Sequence, residues 1–134
     1  MGPALLATVL LSASPAGSAL PSVLSLPSVV ISTEPRSGDT AVDPTTREIK
    51  VTFSKDMMTD RMWSFVQLSK EAFPVTRGEP HFTNRRTIVL PVELAPGKAY
   101  AIWLNQGRFD HFRDADGLPA VPYLLVFETS KTPK

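Results

Sequence analysis

The chain has 134 residues, of which 43% are hydrophobic and 20% charged, with 13 prolines and no cysteine. This length fits a single domain with a core of its own, and the lack of cysteine excludes disulfides, thiolate catalysis and cysteine-based zinc sites. Fourteen basic residues against 13 acidic ones give a net charge of +1, which excludes a strongly electrostatic nucleic-acid binder. We therefore expect no nucleic-acid partner.

The first 28 residues form an uncharged head, because the first charged side chain is Glu34. Residues 4–11 are an apolar run followed by small residues, a pattern typical of a secretory signal peptide cleaved near Ala19. The run is too short for a membrane-spanning helix, which takes about 20 residues, so we expect no transmembrane segment. No basic residue precedes the run, which leaves a disordered Ala/Ser/Pro linker or an upstream truncation as the alternative.

The head and the charged body divide the chain into three parts and indicate export from the cytoplasm. Residues 1–28 are predicted to be a signal peptide or disordered linker, residues 29–130 the folded domain, and residues 131–134 a short tail. The predicted location is secreted or in the cell envelope. Lack of cysteine is compatible both with export and with the linker or truncation alternative.

From residue 29 onward the apolar residues follow a period of two. In segment 47–54, for example, Ile49, Val51 and Phe53 alternate with polar residues, as in a half-buried strand. No segment keeps a helical period, and turn residues such as Ala95-Pro96-Gly97 separate the runs. We predict an all-β fold, an antiparallel Ig-like β-sandwich of about seven strands. The predicted strands are 29–36, 47–54, 63–68, 75–82, 86–90, 98–105 and 121–129.

An ordered series of short motifs along the body resembles a known family. It runs from a Pro-Gly-Val-Pro opening through a strand ending in Phe-Ser, then a Leu-x-Pro-Gly-x-x-Tyr step, to an Asp-x-x-Gly turn and a closing Phe-x-Thr strand. The series is similar to the bacterial Ig-like domain of the S-layer SbsA type. The residues that carry the resemblance are Pro35, Gly38, Val42, Pro44, Ile49, Val51, Phe53, Ser54, Met57, Leu94, Pro96, Gly97, Tyr100, Asp114, Gly117, Phe127 and Thr129.

The resemblance covers about residues 29–130 and implies a non-catalytic module on a secreted or surface protein of a bacterium. Two features depart from the family pattern: Leu118 stands where asparagine is common, and the basic aromatic insert 107–113 is not required. The resemblance transfers no active site and no cofactor. The residues agree with it, because the chain has no G-x-S-x-G elbow and no pattern of partners around His81 or His111.

Three carboxylates in and just after the insert are candidate ligands of a calcium site. Asp110, Asp114 and Asp116 lie within seven residues, and Ca²⁺ prefers several oxygen ligands from one flexible loop. The spacing is not that of an EF-hand, since Phe112 occupies the first ligand position. A turn capped by Asp114 and Asp116, with nearby arginines balancing the charge, is the competing interpretation.

An apolar surface is predicted on the outer side of two neighbouring strands. In strand 98–105, Trp103 has the opposite parity to the residues expected to face inward. In strand 121–129, Leu124 and Val126 also have the outward parity. These strands are the expected hairpin partners, so their outward side chains lie roughly 4.5–5.5 Å apart across the strands.

Ig-like connectivity would place strand 63–68 on the other side of the Trp103 strand. We expect Val66 and Leu68 to face inward there and Phe65 to face outward beside Trp103. Large exposed apolar patches usually mark contacts, so the predicted partner is a protein or a neighbouring domain. The predicted interface consists of Phe65, Trp103, Leu124 and Val126.

Two structural alternatives for this surface stay open in the sequence. Head residues Val23, Leu24 and Leu26 would cover it if the head folded back. A register shifted by one residue would invert the whole set and bury Trp103. The alternative function is a carbohydrate- or calcium-dependent binding module using loop 107–117, in which Trp103 stacks on a sugar ring together with Phe109 or Phe112.

Overall fold

A computed structural model describes residues 21–134 of the chain. In this part the fold consists of eight β-strands and one short 3-10 turn, and it contains no α-helix. No helix among these residues has the length and apolar character that a membrane crossing requires. The turn is Val23–Ser25, and the strands are β1 Val30–Glu34, β2 Glu48–Phe53, β3 Phe65–Gln67, β4 Val75–Thr76, β5 His81–Phe82, β6 Thr87–Glu93, β7 Ala99–Leu104 and β8 Tyr123–Glu128.

The strands form two antiparallel sheets. The larger sheet has the order β1-β2-β6-β4, with β5 also pairing with β6, and the smaller sheet has the order β3-β7-β8. The predicted strand 75–82 is two short strands, because Gly78 and Pro80 interrupt it, and proline lacks the N–H that a continuous ladder needs. The predicted antiparallel Ig-like β-sandwich is thereby confirmed.

The segment after β1 crosses from the larger sheet to the smaller one. β1 pairs with β2, and the N–H of Gly38 then donates to the carbonyl of Val126 on β8 (2.7 Å). Val42 continues this contact through a parallel bridge to Thr129. Segment 37–42 therefore covers the outer edge of β8, so the free edge of the smaller sheet is β3.

Apolar residues of both sheets fill the space between them. Phe53, Ile102, Leu104, Phe112 and Leu125 are among the fully buried side chains. The ring of Phe112, which comes from the loop after β7, lies 5.2 Å from Phe53 and 5.1 Å from Phe65 between ring centroids. The loop thus contributes an aromatic side chain to the core and is part of the fold.

Candidate functional surface

The outer face of the smaller sheet carries two rows of apolar side chains. Residues opposite each other in an antiparallel ladder share a face, so Trp103 forms one row with its partners Val66 on β3 and Leu124 on β8. The next row pairs Ala101 with Val126, which is 38% exposed. We call this surface the apolar face; it consists of Val66, Ala101, Trp103, Leu124 and Val126.

The register of β7 and β8 agrees with the sequence prediction. Tyr100, Ile102 and Leu104 are buried in the core, whereas Trp103 is only partly covered. The register shift that would bury Trp103 is therefore wrong. Trp103 and Leu124 are also absent from the partly buried side chains that pack against the core, so both belong to the outer side.

The prediction for β3 is wrong by one residue. Phe65 is the partner of Leu104 and makes an edge-on contact with the buried ring of Phe112, so Phe65 faces the core. Val66, which the sequence placed inward, is the partner of Trp103 and lies on the outer side. The residue lost from the predicted interface is Phe65, and Val66 takes its place.

The outer face of the larger sheet is polar by comparison. Its rows across β2 and β6 pair Glu48 with Pro91, Lys50 with Val89 and Thr52 with Thr87. The hydroxyl oxygens of the two threonines lie 3.1 Å apart. Lys50 is exposed on the same side. Val89 is buried on this side and Val75 on β4 is 54% exposed, so the face is mixed, whereas the row Val66–Trp103–Leu124 is apolar throughout.

The described part of the head does not cover the apolar face. Val23, Leu24 and Leu26 are exposed, whereas Ser28 is fully buried. The carbonyl of Ser28 accepts a hydrogen bond from the N–H of Val121, at the end of the sandwich. Coverage by Val23, Leu24 and Leu26 is therefore wrong, and the predicted signal-peptide run and its cleavage near residue 19 lie outside the described residues.

A groove of about 400 Å³ opens at the end of the apolar face where β7 begins. Its floor includes Ala99, Ala101 and Val126, and Leu68 stands on one side of it. The two alanines create the depression because every larger side chain at those positions would fill it. Asp39 and Glu128 are the only charged residues of its lining.

The loop after β7 is fixed by a buried asparagine. Asn105 has a φ of 62°, a left-handed conformation that asparagine tolerates better than most residues. Its side-chain amide donates to the carbonyls of Phe112 and Ala120, and its oxygen accepts from the N–H of Phe112, at 2.9–3.1 Å. These bonds hold Phe112 in the core.

A buried ion pair joins the same loop to the end of β2. Lys55 Nζ donates to Asp114 Oδ2 at 2.6 Å and to the carbonyl of Leu26 at 2.9 Å, and both charged side chains are buried. Asp114 Oδ1 accepts the N–H groups of Asp116 and Leu118. Burial raises the pKa of Asp114, but the hydrogen bonds from Lys55 and these two amides outweigh it and lower the pKa below its usual value.

The predicted calcium site is not formed. The carboxylate of Asp114 is occupied by Lys55 and two amides, and Asp110 pairs with Arg113 at 3.0 Å. Residues 21–134 contain no group of three or more His, Asp or Glu side chains arranged to hold a metal ion. Asp114 caps the turn and Arg113 pairs with Asp110, as the competing interpretation expected. Asp116 contributes its backbone N–H to this cap.

A second depression lies beside the free edge of β3. It has a volume of about 370 Å³ and is lined by several aromatic side chains, including Trp63, Phe73, Phe109 and His111. Phe109 is 49% exposed, but Phe112 is fully buried. The prediction that Phe112 stacks on a sugar is therefore wrong.

Sequence reasoning missed three elements of this region. Val66 was assigned to the wrong side, the groove over Ala99 and Ala101 went unnoticed, and Lys55 was not connected with Asp114. Only the groove had a signal in the sequence, because both alanines share the parity of Trp103.

Comparison with solved structures found similarity to the S-layer protein described as "rSbsC(31-844)". The TM-score is 0.51 at 18% sequence identity, with 80% of this chain and 14% of that chain covered. This chain thus spans about one-seventh of that protein's resolved chain, and the likeness concerns the fold. No curated protein matched the chain in a sequence comparison.

A comparison with protein families matched residues 25–129 to the bacterial Ig-like domain. The match covers most of the chain and includes both sheets, the ion-pair loop and the apolar face. The chain belongs to the bacterial Ig-like domain family.

Proposed function

We propose that the chain is a non-catalytic interaction module of a secreted or surface protein, and that it docks a protein or neighbouring domain through the apolar face. The observation that carries this proposal is the unbroken row Val66–Trp103–Leu124 across all three strands of the smaller sheet. Membership of a structural Ig-like family and the fold shared with an S-layer protein support an extracytoplasmic role.

The energetics favour docking by this face rather than by its polar counterpart. A patch of roughly 300–600 Å² that leaves water contributes about 25 cal/mol per Å², before the cost of immobilising both partners. Trp103 is the expected anchor, because large aromatic side chains at the centre of a patch dominate binding energies. The side chains around it are apolar and add area without a desolvation penalty.

Site-specific photo-cross-linking tests the proposal while the partner is still unidentified. A photoreactive residue is placed at Leu124 on the apolar face or at Lys50 on the polar face of the full chain in its native cells. We expect one predominant cross-linked protein, or a neighbouring domain of the same protein, from position 124 and none from position 50. Equal yields from the two positions, or none from either, would contradict the proposal.

A carbohydrate-binding module remains the second candidate, supported by the aromatic depression beside β3. Trp63, Phe73 and Phe109 offer faces for a sugar ring. Sedimentation of the full chain with insoluble cell-wall polysaccharide distinguishes the two functions. Retention that Phe109→Ala abolishes and Trp103→Ala preserves would favour the carbohydrate candidate over docking by the apolar face.

A further inference from the structure

The tip of the loop after β7 presents a cation on an aromatic support. Gln106 and Phe109 exchange two backbone hydrogen bonds of 2.8 and 3.0 Å, which close a tight turn with Gly107 and Arg108 at its tip. Gly107 has a φ of 59° and open space around it. The guanidinium of Arg108 lies 5.2 Å from the ring centroid of Phe109, so the tip is basic, partly apolar and exposed.

The groove at the other end of β7 has the complementary character. Its floor of Ala99, Ala101 and Val126 is apolar, and its two charged lining residues, Asp39 and Glu128, are both acidic. The ion pairs of residues 21–134 include neither of these acids and do not include Arg108. Both acidic residues of the groove are therefore free of ion pairs within 4 Å among the described residues.

The two features cannot meet within one molecule. The groove lies over Ala99 and Ala101, at the start of β7, whereas the loop begins after Leu104, at its end. At about 3.3 Å per residue, β7 separates them by about 17 Å, which is well beyond the reach of one arginine side chain. Complementary surfaces at opposite ends of a molecule are suited to a head-to-tail contact between copies.

We propose that the occupant of the groove is the loop tip of a second copy of this chain. The aliphatic part of Arg108 lies over Ala99 and Ala101, as long basic side chains cover apolar surface, and its guanidinium pairs with Glu128 and Asp39. This inference rests on the proposed function, since the groove adjoins the apolar face, and it names the partner. Each added copy leaves one loop and one groove free, so association continues beyond a dimer.

Sedimentation velocity of the full chain tests the contact, with two variants that each remove one half of it. Arg108→Glu reverses the charge of the loop tip, and Ala99→Arg fills the groove with bulk and positive charge. Both positions are exposed, so we expect both variants to melt at the wild-type temperature. One loop entering one groove is a small interface, so the concentration series extends to about 1 mM.

We expect the wild-type sedimentation coefficient to rise with concentration and to fall again when salt is added. Each variant alone should remain monomeric. An equimolar mixture of the two should give a dimer and nothing larger, because it contains one intact loop and one intact groove. If Ala99→Arg fails to fold, Glu128→Lys replaces it in the mixture.

Three results would overturn the inference: a monomeric wild type at every concentration, association that neither variant reduces, or a mixture that stays monomeric. Association through the uncharged head, residues 1–28, would be one cause of association that neither variant reduces. These three results concern self-association only. The proposed function is tested independently, by cross-linking from Leu124.

Discussion

Two regions of this domain reverse the usual placement of charged and apolar side chains. Where the loop after β7 meets the end of β2, the opposite charges of Lys55 and Asp114 are buried. Each oxygen of the carboxylate accepts at least one hydrogen bond. On the smaller sheet, Val66, Trp103 and Leu124 line up on the outer side, where each is partly exposed. The buried charges are satisfied within the fold, whereas the apolar face is the surface for which we propose a contact with another protein or domain.

The largest change in the free energy of unfolding is expected when the buried ion pair between Lys55 and Asp114 is disrupted. Asp114→Asn leaves the ammonium of Lys55 buried without its counter-charge, so we expect the free energy of unfolding to fall by about 3–5 kcal/mol in urea titrations. Asparagine keeps one oxygen for the amides of Asp116 and Leu118. Adding Lys55→Met should recover part of the loss, because neutral replacements of both partners are often tolerated.

Lowering the pH should weaken the ion pair between Lys55 and Asp114, because its carboxylate becomes protonated. The pKa of Asp114 is lower in the folded chain than in the unfolded one, so its contribution is complete above the unfolded value of about 4 and is lost as pH falls through the folded pKa. We expect the wild type to lose stability more steeply below about pH 4 than Asp114→Asn. The pKa of Asp43 is also lowered, by hydrogen bonds from Thr45, and is common to both chains.

If the free energy of unfolding fell equally with pH in the wild type and in Asp114→Asn, Asp114 would not be the titrating group. A wild-type-like unfolding free energy for Asp114→Asn at neutral pH would show that the ion pair is not structural.

The next largest change in stability is expected in β3, and it tests which of two neighbouring residues faces the core. Phe65→Ala removes the contact with the buried ring of Phe112 and should cost about 3 kcal/mol. Val66→Ala removes only an outer cross-strand contact with Trp103 and should cost less than about 1 kcal/mol. Urea unfolding of the two variants measures the difference, and equal costs, or the reverse order, would return Phe65 to the outer face.

These two regions also show what the sequence was able to predict. The period of two placed the inward and outward residues of β2 clearly, because its apolar residues alternate with polar ones. β7 has apolar residues of both parities, and its inward set is the one that carries Tyr100, Ile102 and Leu104. β3 has apolar residues of both parities at Phe65 and Val66, so alternation cannot decide between them. The decision comes from Phe112, which reaches the core from a loop and lies 47 residues after Phe65 in the chain.

The ion pair was beyond local sequence patterns for a similar reason. Three nearby carboxylates suggested a cation site, but the cation that Asp114 meets is Lys55, 59 residues away in sequence. Asp110 pairs instead with Arg113, three residues on. Spacing alone does not report such long-range partners, whereas turn and strand signals are local and located the strands, apart from the division of 75–82 into β4 and β5.

A small effect on stability, together with the most direct test of docking, is expected for Trp103→Ala. The substitution removes the centre of the apolar face but no core contact. The measurement is the yield of the cross-link from Leu124 in the full chain with and without this substitution. We predict a yield reduced several-fold while the free energy of unfolding falls by about 1 kcal/mol. An unchanged yield, with a loss of the roughly 3–5 kcal/mol typical of a core aromatic, would contradict the account.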